Sequence, residues 1–182
     1  MSEMRFDDDV VIVTGAGRGL GREYALAFAA RGAAVVVNDI GAEADGSGGS
    51  RAVAQGVVDE IVAAGGRAVA DTNSVATSEG AAAIVQTALD QFGKLTVLVN
   101  NAGTIAYARL PEIGDADWRR MLSVTLDGAF HMSRAAWPLM AAQGYGRIVN
   151  TTSNAGFAGN ETLAHYGAAK LGVAGLTKCM AQ

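Results

Sequence analysis

Short apolar runs alternate along the chain with longer stretches in which alanine and polar residues mix. The runs are rich in valine and isoleucine and almost unbroken, which is typical of parallel strands covered on both faces. The intervening stretches have the length and composition of helices. The predicted strands are Val10–Val13, Ala34–Asn38, Arg67–Ala70, Leu95–Val99 and Arg147–Thr151, and the predicted helices are Leu20–Arg31, Arg51–Ala64, Ser78–Phe92, Asp117–Gln143 and a fifth from about His165 onward.

Glycine, aspartate and proline punctuate these helices. Asp115 or Asp117 is expected to cap the fourth helix, and Pro138 is expected to kink it. The stop signals after the first three helices are Gly32, Gly65 and Gly93.

The strand–helix alternation predicts an α/β fold with a doubly wound parallel sheet in the order 3-2-1-4-5 and right-handed crossovers. Ile40–Ser50 is rich in glycine, aspartate and serine, and it is predicted to be a surface loop rather than a domain boundary. Residues 1–182 are therefore expected to form a single domain with its own core.

Composition narrows the class of protein. Half of the residues are hydrophobic and the net charge is −4 with no basic cluster, which argues against a nucleic-acid partner. Cys179 is the only cysteine, so a reducing compartment is expected. The acidic N-terminus lacks the pattern of a signal peptide, and no apolar run is long enough to span a bilayer. These features predict a cytoplasmic protein without a membrane segment. His131 and His165 lack metal-ligand spacing, so no metal site is predicted.

A glycine-rich turn, Thr14–Gly21, follows the first predicted strand. Gly15, Gly19 and Gly21 have the spacing T-G-x-x-x-G-x-G, which lets backbone approach a pyrophosphate while the next helix offers free N–H groups. Alone, such a turn is equally compatible with a flexible loop. Its place between a strand and a helix favours cofactor binding.

Two charged residues bear on which nicotinamide cofactor is bound. Asp39 ends the second strand, where a carboxylate accepts hydrogen bonds from ribose hydroxyls and repels a 2′-phosphate. Arg18 lies in the glycine turn and is able to neutralise a phosphate. We give Asp39 more weight, because it meets the group that differs between the two cofactors, and we predict NAD rather than NADP.

A second turn, Asn100-Asn101-Ala102-Gly103, follows the fourth strand. Its asparagine amides are suited to tie neighbouring strand ends together, and Ala102 and Gly103 allow a cofactor to approach the backbone. This motif is distinctive only in combination with the others.

Tyr166 and Lys170 are four residues apart, so they share one face of a helix. An ordinary tyrosine loses its proton only near pH ~10, but a neighbouring ammonium stabilises the phenolate. Such a tyrosine is able to take the proton of an alcohol or return it to a carbonyl. Ser153, just after the fifth strand, is placed to orient the substrate oxygen.

As a set, these motifs resemble the short-chain dehydrogenase/reductase family, along the whole chain. Within the family the chain looks most like the (3R)-hydroxyacyl-CoA dehydrogenase units of peroxisomal multifunctional enzymes, through residues 4–7, 35–39, 133–137 and 145–149. The resemblance implies a Rossmann-like fold, NAD, a Ser/Tyr/Lys mechanism with Ser153, Tyr166 and Lys170, and a homodimer or homotetramer built on the fourth and fifth helices. The cofactor-binding residues it implies are Gly15, Arg18, Gly19, Leu20, Gly21, Asp39, Asn73, Ser74, Val75, Asn101, Ala102, Gly103, Tyr166 and Lys170.

The chain departs from the family pattern at three places. Thr125 stands where the family usually has asparagine, or histidine in the hydroxyacyl-CoA group; its backbone carbonyl and a helix distortion normally support proton delivery. Asn73 stands where many members have an aspartate facing the adenine, and an amide is still able to bond the exocyclic amine. Family members continue into a sixth and a seventh strand, so we expect a chain that is incomplete at its C-terminus, with strand 5 as an apolar edge.

The function expected from the sequence is an NAD-dependent oxidoreductase that interconverts a secondary alcohol and a ketone. Its small-molecule substrate, by resemblance, is a 3-hydroxyacyl-CoA or another apolar alcohol. The alternative is a sensor or scaffold that binds NAD without catalysis. The intact Tyr166 and Lys170 favour the enzyme, whereas Thr125 and the early end of the chain slightly favour the sensor.

Overall fold

The computed structural model describes residues 4–42 and 48–182. Its five strands form one parallel sheet in the order β3-β2-β1-β4-β5, which confirms the predicted order. Each strand begins and ends within two residues of its predicted bounds. The strands are β1 Val10–Thr14, β2 Ala34–Asn38, β3 Arg67–Asp71, β4 Val97–Asn100 and β5 Arg147–Asn150.

Helices alternate with the strands along the chain, as predicted, and the last two helices follow β5. The helices are α1 Gly19–Ala30, α2 Arg51–Ala63, α3 Ser78–Phe92, α4 Asp115–Leu122, α5 Gly128–Gln143, α6 Asn154–Ala158 and α7 Ala164–Met180, with a short 3₁₀ turn at Leu110–Glu112.

The sheet is covered on both faces because alternate residues of each strand point to opposite sides. Ile12, Val36 and Leu98 pack with α3 and α5, whereas Val11 and Val35 pack with α1 and α2. All five side chains are fully buried. The continuous apolar strands are therefore buried by helices on both faces of the sheet, as expected for a parallel sheet.

The long fourth helix of the prediction, Asp117–Gln143, is wrong. The segment forms two α-helices, α4 and α5, joined by π-helical turns at Ser123–Asp127. Pro138 lies inside α5, and the π-helical turns end more than ten residues before it. The N-cap of α4 is Gly114 and not the predicted aspartate. Asp115 and Asp117 lie in the first turn, where their negative charge interacts favourably with the helix dipole.

The predicted surface loop Ile40–Ser50 lies partly outside the described residues, at 43–47. Its two ends meet, because Ser50 N donates to the Ile40 carbonyl at 3.1 Å. Ser50 also caps α2, since its side chain accepts a hydrogen bond from Ala52 N. The short helix α6 was not predicted from the sequence.

The carboxyl ends of four of the five strands carry buried polar residues. Thr14, Asn38, Asp71 and Asn100 end β1, β2, β3 and β4, and each is at most 6% exposed. Because parallel strands end at the same edge of a sheet, these side chains meet there. Asn100 also reaches the edge strand, with its Nδ2 donating to Asn150 Oδ1 at 2.8 Å.

At the amino ends of the strands, Thr96, which directly precedes β4, is hydrogen-bonded to the start of β1. Its hydroxyl accepts a hydrogen bond from Val10 N at 2.9 Å and donates to Val10 O at 3.1 Å, in a buried position. Thr96→Val should lower the free energy of unfolding by about 1–3 kcal/mol, because it leaves the Val10 N–H without this partner. Urea unfolding of this variant is compared with Thr72→Val, at an exposed position. Equal stability of the two variants would contradict the assignment.

Candidate functional site

The turn after β1 is shaped by glycines that other residues would block. Gly15 has a φ of +62°, and a Cβ there would lie 2.8 Å from Ala102 Cα. A Cβ at Gly21 would overlap the Gly15 carbonyl oxygen. Gly19, with a φ of +52°, has no atom within 4 Å of its Cβ position, so it borders open space. The turn therefore offers bare backbone to a ligand.

The N-terminus of α1 is suited to an anion. Its N-cap, Arg18, makes no side-chain capping bond, and the first turn of the helix has no acidic residue. The first N–H groups of a helix have no partner within the helix, and its dipole places positive charge there. A phosphate at this position would meet both features.

Thr14 and Asn101 fasten the glycine turn to the end of β4. Thr14 Oγ1 accepts hydrogen bonds from Asn101 N at 3.1 Å and Ala102 N at 3.0 Å, and donates to Val99 O at 3.3 Å. Asn101 Nδ2 donates to the carbonyls of Thr14 at 3.0 Å and Gly15 at 3.1 Å. The asparagine amide thus ties two strand ends together. Thr14 shares this task, although the sequence did not single out its side chain.

Asp39 is held against the glycine turn by backbone donors. Its Oδ2 accepts a hydrogen bond from Gly17 N at 2.8 Å, and its Oδ1 accepts one from Gly41 N at 2.7 Å. Arg18, on the same side, donates to the Ala42 carbonyl at 3.3 Å. The carboxylate is therefore fixed in place at the end of β2.

The segment after β3 forms the opposite wall. Ser74 Oγ accepts a hydrogen bond from Ala76 N at 3.2 Å and so stabilises the turn. Val75 is buried, and a Cβ at Gly128 would lie 2.8 Å from Val75 Cγ2. His131 Nδ1 lies 3.2 Å from the Val75 carbonyl. The start of α5 thereby positions this wall.

These elements enclose a cavity of about 460 Å³ at the carboxyl ends of the strands. Eleven of the residues predicted to bind cofactor line it, whereas Ser74, Tyr166 and Lys170 do not. The cavity is lined by Gly15, Arg18, Gly19, Leu20, Gly21, Asn38, Asp39, Ile40, Ala42, Asn73, Val75, Asn101, Ala102, Gly103, Thr104 and Val124.

Five lining residues were not predicted from the sequence. Asn38 precedes Asp39 and Thr104 follows Gly103, so adjacency to a motif was the available signal for these two. Ile40 and Ala42 follow Asp39 in the loop. Val124 lies in the π-helical turns, and no pattern in the sequence marked its side chain.

Tyr166 and Lys170 lie on one face of α7. Lys170 Nζ is 5.8 Å from the centroid of the Tyr166 ring and donates a hydrogen bond to the Thr151 carbonyl at 2.7 Å. The lysine is only 4% exposed, and this burial lowers its pKa to about 8. The Thr151 carbonyl thus holds the buried ammonium beside the Tyr166 ring.

Ser153 begins α6, the helix that the sequence did not reveal. Its Oγ caps this helix by accepting a hydrogen bond from Ala155 N at 3.2 Å. The adjoining Thr152 donates to the Lys170 carbonyl at 2.8 Å, and a Cβ at Gly156 would lie 2.9 Å from Leu171 N. These close contacts fix α6 against α7, so the segment that carries Ser153 is anchored on the helix that carries Tyr166 and Lys170.

The cavity and the tyrosine–lysine pair meet at Gly103. A Cβ at this position would lie 3.7 Å from Lys170 Nζ and 3.5 Å from Thr125 Oγ1. Thr125 is 2% exposed and lies in the π-helical turns, where its hydroxyl is 3.8 Å from Met121 Sδ. The helix distortion expected around position 125 is present with a threonine there.

Two absences hold for the part of the chain that the structure describes. In residues 4–42 and 48–182, no helix is both long and apolar enough to cross a membrane. The same residues contain no group of three or more His, Cys, Asp and Glu side chains able to hold a metal ion.

The doubly wound sheet, the glycine turn and the paired Tyr166 and Lys170 define a class of Rossmann-like oxidoreductase folds. The short chain dehydrogenase family profile matches residues 9–182, and the chain belongs to this family. A short-chain type dehydrogenase/reductase of Mycobacterium tuberculosis is 51% identical over 174 residues, which are 96% of this chain and 61% of that protein.

Two further relatives show the range of the likeness. The peroxisomal multifunctional enzyme type 2 of Mus musculus is 50% identical over 180 residues, which cover 99% of this chain and 24% of that protein. The solved structure of a 7α-hydroxysteroid dehydrogenase complexed with NADH and 7-oxo glycochenodeoxycholic acid has a TM-score of 0.88 at 34% identity, covering 97% of this chain and 66% of that one. The chain thus spans less than two thirds of the length of each of these relatives.

Burial of Lys170 predicts a distinct dependence of stability on pH. Below pH 8 the lysine is charged in both states, and above its ordinary value of 10.5 it is neutral in both. Between these limits the unfolded chain binds the proton more tightly, so the free energy of unfolding should rise with pH, by up to about 3 kcal/mol.

The measurement is urea unfolding between pH 7.5 and 10.5 for the unmodified chain and Lys170→Met. The variant has no amine to titrate, so its stability should lack this rise. If the free energy of unfolding had the same pH dependence in both proteins, the lowered pKa of the buried Lys170 would be contradicted.

Proposed function

We propose that the chain is an NAD-dependent oxidoreductase that interconverts a secondary alcohol and a ketone. The observation that carries the proposal is the junction at Gly103, where the cavity adjoins Lys170 Nζ. A cofactor site and a proton-transfer pair side by side are what hydride transfer requires. Membership of the short chain dehydrogenase family supports the same reaction class.

The residues that line the cavity fit a dinucleotide. Gly19 borders open space at the start of α1, where a pyrophosphate would find backbone N–H groups. Asn73 and Val75 lie at the other strand ends, where an adenine is expected. Ala102 and Gly103 present backbone toward the position expected for the nicotinamide. When bound, the cofactor supplies hydride chemistry.

Asp39 supports NAD over NADP. Its carboxylate is fixed by Gly17 N and Gly41 N at the cavity wall, so it cannot easily turn away from a ligand. A fixed carboxylate accepts hydrogen bonds from ribose hydroxyls and repels a 2′-phosphate. Arg18 is already engaged with the Ala42 carbonyl on the same side. The NADH in the hydroxysteroid dehydrogenase structure is consistent with this choice.

Each residue of the proposed catalytic set has a separate task. Tyr166 takes the proton of the alcohol, or returns it to the carbonyl, at its hydroxyl oxygen. Lys170 stabilises the phenolate through its ammonium and holds the nicotinamide ribose. Ser153 orients the substrate oxygen, and the capping bond to Ala155 N directs its Oγ. The backbone of Thr151 holds the ammonium in position.

An apolar alcohol, such as a 3-hydroxyacyl-CoA, is the proposed substrate. Large apolar side chains are exposed on segments next to the pair: Tyr107 and Leu110 after β4, and Phe157 on α6, each at least 62% exposed. Ala108 forms a backbone bridge with Leu163, three residues before Tyr166, which brings the first of these segments to the site. The names of the multifunctional and hydroxysteroid relatives are compatible with such a substrate.

The remaining features are proposed on narrower grounds. We propose residues 1–182 as one nucleotide-binding domain, and a homodimer or homotetramer built on the predicted fourth and fifth helices, which are α4–α5 and α7 in the structure. Phe130 and Trp137 support the oligomer, because both lie on α5 and are more than 40% exposed. The cytoplasmic location remains a prediction from the sequence, and the mouse relative is named as peroxisomal.

Tyr166→Phe tests the proposed chemistry. The variant keeps the ring but loses the hydroxyl, so turnover of an apolar secondary alcohol with NAD should fall by at least about 100-fold, while NADH binding stays unchanged. Initial rates and NADH fluorescence titrations measure the two properties.

Tyr145→Phe is the matched control, because Tyr145 is 44% exposed after α5, away from the cavity lining. It should leave both properties unchanged. Unaltered turnover by Tyr166→Phe would contradict the proposal and favour a non-catalytic NAD-binding protein.

A further inference from the structure

We infer that Asp71 orients the amide of Asn73 so that the cavity selects a base with an exocyclic amine, such as adenine, over one with a carbonyl at that position. Asp71 is a positioning residue in this account, and Asn73 makes the contact. The inference rests on the proposed function, in which the cavity binds a nicotinamide dinucleotide.

Asp71 is a buried carboxylate surrounded by hydrogen-bond donors. Its Oδ1 accepts from Asn38 Nδ2 at 2.9 Å and Asn73 N at 2.8 Å. Its Oδ2 accepts from Asn73 Nδ2 at 2.9 Å and Thr87 Oγ1 at 2.8 Å. The side chain is 5% exposed. Donors from β2, α3 and the turn after β3 therefore fix the carboxylate in one position.

This carboxylate decides which way the Asn73 amide faces. If the amide turned over, its Oδ1 would meet Asp71 Oδ2, and two acceptors would face each other without a proton between them. Only the orientation with Nδ2 toward Asp71 is satisfied, which leaves the carbonyl oxygen on the other side of the amide. A carboxylate at position 73 would need no such partner, because both of its oxygens accept.

The backbone at this position is fixed as well. Asn38 Nδ2 also donates to the Asn73 carbonyl at 2.9 Å, so one amide holds both Asp71 and the main chain of Asn73. The Asn73 side chain therefore presents its acceptor from a rigid base rather than from a free loop.

Asn73 lies at the end of the cavity where the base is expected. It lines the cavity with Asn38, Asp39 and Val75, on the β2–β3 side. Gly103, where Lys170 reaches the cavity, lies beyond β1 on the β4 side. With the reacting ring at Gly103, a dinucleotide places its base near Asn73. The Asn73 carbonyl oxygen is able to accept a hydrogen bond from an exocyclic amine of the base, whereas it repels a carbonyl oxygen at the same position of the base.

The test is a fluorescence titration of the full chain with NADH and with reduced nicotinamide hypoxanthine dinucleotide, in which a carbonyl replaces the adenine amine. The unmodified chain should bind NADH about five- to tenfold more tightly, the effect of one hydrogen bond. Asn73→Ala, at an exposed position, should bring the ratio of the two dissociation constants close to one.

Two variants separate orientation from general structure. Asp71→Asn frees the Asn73 amide to turn, so the ratio should fall toward one, whereas a purely structural loss would weaken both ligands equally and keep the ratio. Thr87→Val removes a different donor from Asp71 and should keep the ratio. In the double variant Asp71→Asn with Asn73→Asp, the side chain at position 73 is a carboxylate, which accepts hydrogen bonds through either oxygen. The preference for NADH should therefore return.

The outcomes distinguish this inference from the proposed function. Equal binding of the two dinucleotides by the unmodified chain, or a full preference retained by Asn73→Ala or Asp71→Asn, would overturn the inference and leave the oxidoreductase proposal intact. Failure of the unmodified chain to bind NADH at all would overturn both.

Discussion

The hydrogen bonds between Thr14 and Asn101 are the constraint on which the rest of the site depends. In the strand order 3-2-1-4-5, the chain leaves β1 toward β2 on one side and later returns to β4 on the other, so the ends of β1 and β4 open a crevice. Side-chain and backbone groups of both residues form hydrogen bonds across the base of this crevice. The glycine turn and the turn after β4 are thereby held as one surface.

This lock explains why glycine is needed at particular positions. Because Asn101 Nδ2 pulls the Gly15 carbonyl toward β4, Gly15 lies against Ala102, where a side chain would collide. The same turn brings Gly103 to the tip of Lys170. One small network therefore positions the backbone of the glycine turn and sets the distance between the cavity and the pair of Tyr166 and Lys170.

Burial gives the polar groups around the base of the crevice their different roles. Lys170 is deprived of water and keeps one backbone carbonyl as partner, so its charge is costly and its pKa falls. Asp71 is equally buried but is met by four donors, so it serves as a fixed acceptor. Asp39 is fixed by two backbone donors at the cavity wall.

The sheet and the motifs at its edge were predictable because they depend on local patterns. Unbroken apolar runs identify strands buried on both faces, and the motif that contains Asn101 follows its strand directly. Helical spacing alone places Tyr166 and Lys170 on one face of a helix, and the other motifs were needed to interpret them as a site.

Features that depend on distant contacts were not predictable. The π-helical turns at Ser123–Asp127 have no marker in the local apolar pattern, and only the family resemblance pointed to a distortion at Thr125. Asp71 gains its role from Asn38 and Thr87, which are 33 and 16 residues away. Sequence periodicity does not predict such a cluster, because its members come together only when the sheet has formed.

The most direct test of the account is a fluorescence titration of the unmodified chain with NADH and NADPH. The account predicts saturable binding of NADH, with NADPH bound more weakly because Asp39 repels its 2′-phosphate. Asp39→Asn, measured alongside, should narrow the difference between the two cofactors. Binding of neither cofactor would contradict the account, and a preference for NADPH would show that Arg18 outweighs Asp39.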